Sequence, residues 1–365
     1  MGLPAGLLEG GYTGLLRPVL FASHGGDPEA IHEQLIDILA AVGDTPALRG
    51  LLGLVSASAG RATEVAGVRF PNRIGLAAGM DKDGLAARAW ASLGFGFAEL
   101  GTVTAQAQPG NDRPRVFRLR DSHALINRMG FNNHGATALA QVMADTGIVR
   151  GNLAAGIPLG VSIGKTKLVT VEDAVADYLT SLDAVAPHAD YVAINVSSPN
   201  TPNLRTLQDG GALAELTTAL VMRAAELGGR WPTPVPIFVK IAPDLGWEQI
   251  DEVLAACEAS GIAGVIATNT TLGRDGLAPS DQRLAEQAGG LSGAPLTGRA
   301  LEVVRYVVEH TRLPVIGVGG IMTAVDASRM FDAGAALIQL YAGFIYHGPG
   351  LIAAINAADT RRYPR

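Results

Sequence analysis

Apolar positions along the chain fall into two regimes. Up to about Val55 they recur at helical spacing. Leu15, Leu16, Val19 and Leu20 form a first cluster. Ile31, Leu35, Ile38, Leu39 and Val42 follow on one helical face, with Glu33 and Asp37 on others, which predicts an amphipathic helix. Asp27 reads as its cap, Pro28 as its first residue and Gly43 as its end. A third cluster holds Leu48, Leu51, Leu52, Leu54 and Val55. The segment 1–55 reads either as a helical cap packed on the main domain or as an interfacial helix pair with its apolar faces in lipid. The pattern alone leaves both open.

The rhythm changes from about Arg73. Eight short apolar runs, rich in Gly and β-branched residues, cover 74–79, 96–102, 159–164, 191–198, 237–242, 264–269, 315–320 and 336–342. Helical patterns separate most of them, among them 171–185, 213–226, 247–259 and 300–310. Continuous rather than alternating apolarity suits strands buried on both faces. Eight strand–helix units predict an α/β fold: a closed (β/α)8 TIM barrel over 56–365, carrying the helical extension at its N-terminus. An open doubly wound sheet is the alternative.

Composition narrows the function. At 365 residues, 48% hydrophobic and 17% charged, the chain can bury one large core and is not disordered. A net charge of -6 argues against nucleic acid as a partner. The single cysteine, Cys257, excludes a disulfide framework or a multi-cysteine metal site within the chain. It falls on the helix after the fifth strand and reads as a packed thiol. His32, His123, His134 and His347 have no metal-ligand spacing, so no metal is expected. No apolar run is long enough to span a bilayer, and residues 1–11 lack the basic start of a secretory signal. Contact with a membrane would therefore lie on its surface.

In such barrels chemistry collects at the C-terminal ends of the strands. Gly319-Gly320 and Tyr341-Ala342-Gly343 end the last two runs, where freed backbone N–H groups suit a phosphate; each Gly alone equally suits a tight turn. Lys82 and Lys240 end the first and fifth runs. Each reads as a functional cation or as the partner of Asp81 or Asp244. A cation at the pyrimidine edge of a flavin would stabilise the anionic reduced ring. In 195–202, Pro199 and Pro202 rigidify a loop in which Asn195 and Asn200 suit a polar planar ring; Pro202-Asn203 also reads as an ordinary turn. The Asn-rich segment 127–133 reads as a binding loop or a solvated one.

These segments together resemble the quinone-dependent class of dihydroorotate dehydrogenases over nearly the whole chain. The most specific pieces are Ala77-Ala78-Gly79-Met80-Asp81-Lys82-Asp83-Gly84, 127–133, 195–202, Val239-Lys240-Ile241-Ala242-Pro243-Asp244, Thr268-Asn269-Thr270-Thr271, 289–295 and Val318-Gly319-Gly320-Ile321. The resemblance implies FMN bound by Ala78, Gly79, Met80, Asp81, Lys82 and Thr102, and by Asn195, Lys240, Thr268, Gly293, Gly320, Tyr341 and Ala342. It implies dihydroorotate held by Lys82, Asn127, Arg128, Met129, Gly130 and Phe131, with Asn195, Asn200, Asn269 and Thr270. Ser198 would remove the C5 proton, where the soluble class has cysteine. The C6 hydride would pass to flavin N5, and the electrons to a membrane quinone, in de novo synthesis of UMP. His32 and Arg118 match quinone-site positions. The helical extension would be a funnel from lipid, on a monomer peripheral to the cytoplasmic side of the cell membrane.

Two residues depart from the family pattern: Ser162 stands where Asn is usual, and Ala342 where Ser is common. Serine is a weak base, so its proton must leave through neighbouring hydrogen-bonding groups or water, and Thr201 or another loop hydroxyl is a candidate for that path. Competing readings are a barrel lyase or isomerase for a sugar phosphate, a membrane-tethered ligand-binding barrel without catalysis, and the same flavin barrel with fumarate or NAD as oxidant.

Overall fold

A computed structural model describes residues 2–56, 60–201 and 204–362. Pro202 and Asn203 lie outside the described residues. The eight runs form the barrel strands β1 (Ile74–Leu76), β2 (Phe97–Val103), β3 (Leu159–Ile163), β4 (Tyr191–Asn195), β5 (Ile237–Ile241), β6 (Gly264–Ala267), β7 (Val315–Val318) and β8 (Leu337–Leu340). Each pairs in parallel with its chain neighbours, and β8 returns to β1. The ring is closed, which removes the open sheet. Most strands stop before their apolar runs do, because the last residues of each run turn outward at the mouth.

Side chains alternate along a strand, so every second residue points into the barrel. At the lower end these are Phe97, Tyr191 and Phe238, and facing them are Gly75, Gly160 and Gly264. A Cβ on any of these glycines would collide with the facing ring. The rings meet edge-on, with centroids 6.3 Å apart for Phe97–Tyr191 and 5.4 Å for Tyr191–Phe238. A short hairpin, Thr63–Val65 with Val68–Phe70, brings Phe70 edge-on to Phe97 from below. The floor is therefore solid, and space is left only at the strands' C-terminal ends.

The outer helices include Ala174–Val185, Gly210–Leu227, Trp247–Ser260 and Thr297–His310, within a few residues of the sequence pattern. Cys257 is buried on the third of these, and burial pushes its thiol up to about 12, so it packs rather than reacts. Two features have no counterpart in the sequence reading. One is the floor hairpin. The other is a three-stranded antiparallel sheet of Val116–Leu119, Ala124–Asn127 and Gly290–Gly293 beside the mouth. Asn127 thus ends a strand instead of opening a loop.

The N-terminal segment forms α1 (Ala5–Gly11), α2 (Arg17–Ala22), α3 (Pro28–Asp44) and α4 (Pro46–Ser56). The Asp27 carboxylate caps α3 by accepting from the backbone N–H groups of Glu29 (2.9 Å) and Ala30 (3.3 Å). Pro28 is the first residue, and the helix runs one residue past Gly43. The axes of α3 and α4 bend by 107°. The barrel holds this segment by specific bonds. Tyr12 and Arg17 donate to the Ile345 and Tyr346 carbonyls at 2.7 and 2.8 Å, at the end of the helix after β8. Arg115 pairs with buried Glu29 at 2.8 Å. The outward face is apolar all the same, with Leu15 76% and Leu54 70% exposed.

Gly160→Ala should wedge a methyl group against the Tyr191 ring and cost about 1–3 kcal/mol. Urea denaturation checks this; an unchanged midpoint would mean that the floor yields without strain.

Candidate active site

One cavity of about 690 Å³ occupies the barrel mouth and continues under α1 to α3. Its barrel end is polar and its helical end apolar. The polar end is built by loops that leave the strands.

The loop after β4 carries Ser198, which is 5% exposed and accepts from the Asn200 N–H at 3.3 Å. Arg205 clamps this loop to its neighbours. It donates to the Ser197 carbonyl (3.0 Å) and the Thr270 carbonyl (3.4 Å) and pairs with Asp244 (2.9 Å). Asp244 is therefore the partner of Arg205, not of Lys240. Asn269 donates to the Ser197 hydroxyl at 2.9 Å and to Asn195 Oδ1 at 3.2 Å. Asn195 in turn donates to Thr102 Oγ1 at 3.1 Å. Asn200 donates to the carbonyl and side-chain oxygens of Asn127 at 3.2 and 3.3 Å. The amides are thus fixed by one another, which leaves little to reorganise when a polar ring arrives.

Lys82 donates to Asn132 Oδ1 at 2.7 Å rather than pairing with Asp81. Burial, followed by the nearby Arg115 guanidinium, lowers its ammonium to about 8. Lys240 is buried, and its only ion-pair partner among the described residues is Glu99, at 3.7 Å.

Nearly all residues singled out in the sequence line this cavity: those proposed for the flavin, the substrate, the base and, at the other end, His32 and Arg118. Two side chains do not. Asp81 accepts from the Ala86 N–H (3.1 Å) and the Trp90 indole (2.9 Å), and burial raises its carboxyl to about 6. It braces the turn after β1 from behind. Arg128 turns outward to Gln287 (2.9 Å) and the Pro114 carbonyl (2.8 Å). Ser162 also lies off the cavity. Its hydroxyl bonds that of Thr102 at 2.9 Å, so it reaches the mouth only through Thr102. Gln339 and Glu99 were not anticipated. Each is a polar residue inside an apolar strand run, and that anomaly was the available signal.

The donors and acceptors of the mouth match those of a flavin ring. Gln339 lines it, and its Oε1 is buried without a hydrogen-bond partner among the described residues. An orphaned acceptor of this kind fits a ring N–H. Lys240 and the Asn195 amide fit ring carbonyls. After β7, Gly319 and Gly320 take φ of 122° and 65°. A Cβ on Gly320 would collide with the Thr297 backbone, so only glycine allows this turn, whose N–H groups suit a phosphate. The residues present fit the group.

At the apolar end, burial and then Lys82 push His32 down to about 4, so it is a neutral imidazole at neutral pH. The Arg118 guanidinium lies 3.9 Å over the Phe21 ring, and its Nε and Nη1 are buried without hydrogen-bond partners among the described residues. Tyr12 lines the same end, its phenol raised by burial to about 12.

A family model described as Dihydroorotate dehydrogenase matches residues 61–358. The protein "Dihydroorotate dehydrogenase (quinone)" of Salinispora arenicola is 55% identical over 351 residues, covering 94% of this chain and 97% of that protein. The protein of the same description from Chloroflexus aurantiacus is 52% identical over 348 residues, 94% of each. A crystal structure of DHODH from Eimeria tenella with ferulenol superimposes with a TM-score of 0.82 at 32% identity, covering 95% of this chain and 94% of that one.

Affinity for a small carboxylate ligand should weaken as pH rises through about 8, where the cavity-lining Lys82 ammonium loses its proton. Calorimetry from about pH 6 to about pH 9.5 checks this; an affinity flat across that range would take Lys82 out of anion binding.

Proposed function

We propose how the site works from one premise: this chain belongs to the dihydroorotate dehydrogenase family, among its quinone-dependent members. It oxidises dihydroorotate to orotate in pyrimidine biosynthesis, with a quinone as electron acceptor. The flavin is FMN. The observation that carries this reading is the single cavity, with Ser198 and the amide cluster at one end and apolar helix faces at the other. A sugar-phosphate enzyme has no use for the apolar half.

The turn at Gly319-Gly320 and the backbone of Ala342 would hold the FMN phosphate, with Lys240, Asn195 and Gln339 at the ring. When bound, the flavin supplies the acceptor for the substrate's C6 hydride and carries the electrons on to the quinone. Lys82 binds the substrate carboxylate, while Asn127, Asn200 and Asn269 meet the ring amides. Ser198 takes the C5 proton. Its near-complete burial keeps bulk water away, so its own proton leaves through the loop as the substrate's arrives. Thr201 or another loop hydroxyl is the outlet by way of a bridging water, since the buried Thr201 hydroxyl has no direct hydrogen-bond partner among the described residues.

The helical segment docks on the membrane surface, on the cytoplasmic side, and quinone enters by the end lined by His32 and Arg118. No single described helix is long and apolar enough to cross a bilayer, although the bent α3–α4 pair passes on length and composition together. A surface mode accords with the exposed leucines and with the bonds that hold the segment to the barrel. The protein acts as a monomer, a reading that rests on family resemblance.

Ser198→Ala should slow reduction of the bound flavin by dihydroorotate at least ~100-fold while leaving the flavin in place. Stopped-flow absorbance measures this, and near-normal single-turnover reduction would remove Ser198 from the chemistry. Leu15→Glu with Leu54→Glu should weaken turnover with a long-chain quinone in phospholipid vesicles and spare turnover with a soluble quinone. Equal loss with both acceptors would make the segment a structural cap only.

A further inference from the structure

Below the mouth, inside the barrel, lies a carboxylate that the steps above do not use. Glu99 sits in the middle of β2 and is 0% exposed. Its Oε2 accepts from the Tyr191 hydroxyl at 3.0 Å and from Gln339 Nε2 at 2.7 Å. Its Oε1 lies 3.7 Å from Lys240 Nζ and has no hydrogen-bond partner among the described residues.

Stability does not explain this cluster. The surrounding interior is apolar, with Ile266, Ile316 and Leu337 packed against the floor rings. A buried ion pair there costs desolvation that well-packed hydrophobic residues would avoid. Placement is more informative. Lys240 and Gln339 both line the cavity, whereas Glu99 stands one layer behind them. The bond donated by Gln339 Nε2 fixes the amide so that its nitrogen is engaged as a donor and its oxygen is left as a free acceptor. The Tyr191 phenol, pushed well above its ordinary value by burial and by Glu99, stays a donor to the carboxylate.

We propose that Glu99 is a positioning residue for the cofactor: it orients the Lys240 ammonium and the Gln339 amide and offsets part of the lysine charge, and so sets how readily the bound flavin accepts electrons. This rests on the reading above that a flavin occupies the mouth. A cation beside the ring favours its reduced anionic form, and a carboxylate behind that cation weakens the effect.

The test is the midpoint potential of the bound flavin, read by spectroelectrochemical titration of the purified holoenzyme at fixed pH. Glu99→Gln removes the opposing charge and should make reduction about tenfold more favourable, a rise of about 30 mV for a two-electron couple. Tyr191→Phe removes a donor and leaves the carboxylate less neutralised, so the potential should fall, by about threefold or about 14 mV. A residue that merely filled space would shift thermal stability and leave both potentials unmoved. Unmoved potentials with flavin bound, or shifts of the same sign, overturn the proposal. Should Glu99→Gln fail to fold or to keep its flavin, Tyr191→Phe decides alone: a fall supports the proposal and no change overturns it. A parent protein that takes up no flavin would overturn the underlying reading as well, and is recognised by its lack of visible absorption.

Discussion

A barrel interior has room for one set of side chains, and what fills its lower end decides what its upper end can be. Here Phe97, Tyr191 and Phe238 fill the lower end against Gly75, Gly160 and Gly264. The rings leave no path downward, so the groups that line the cavity come from the strand ends, the side sheet and the helical segment above. Groups there cannot rely on bulk water. Lys240, Glu99 and Gln339 are buried and answer one another instead, as Asn195 answers Thr102 and Asn269. A site built this way is set before its ligands arrive, which is where electrostatic catalysis draws its strength.

The enzyme's two reactants have opposite tastes, a charged pyrimidine and an apolar quinone, and its cavity has one polar and one apolar end. The helical segment resolves this by lying over one side of the mouth. Its inner contacts are directional, from Tyr12, Arg17 and Glu29 to the barrel, and its outer face is leucine-rich. The segment is thus a cap packed on the barrel, one of the two readings that the hydrophobic pattern left open, and its outer face is apolar. Arg118 over Phe21 and the neutral His32 stand at the apolar end.

Much of this was legible in the sequence because its causes are local. Strands buried on both faces leave unbroken apolar runs, and all eight were visible. The start of α3 was visible because Asp27 and Pro28 carry cap chemistry in themselves. The floor hairpin and the three-stranded sheet were not, since strands of three or four residues are too short to show a period. Side-chain direction in turns was also out of reach. Asp81 faces Trp90 and Arg128 faces Gln287 because of partners that only the tertiary fold supplies. Lys240 was recognised as a site residue, but its partner was sought at Asp244, close in sequence. It lies at Glu99, across the barrel.

A site of this kind requires one flavin that a pyrimidine reduces and a quinone reoxidises within a single cavity. The most direct measurement is an anaerobic absorption titration of the purified protein. Bound-flavin bands should bleach on adding dihydroorotate and return on adding a ubiquinone or menaquinone analogue, with NAD and fumarate ineffective. A colourless protein, or flavin bands indifferent to dihydroorotate, would contradict it.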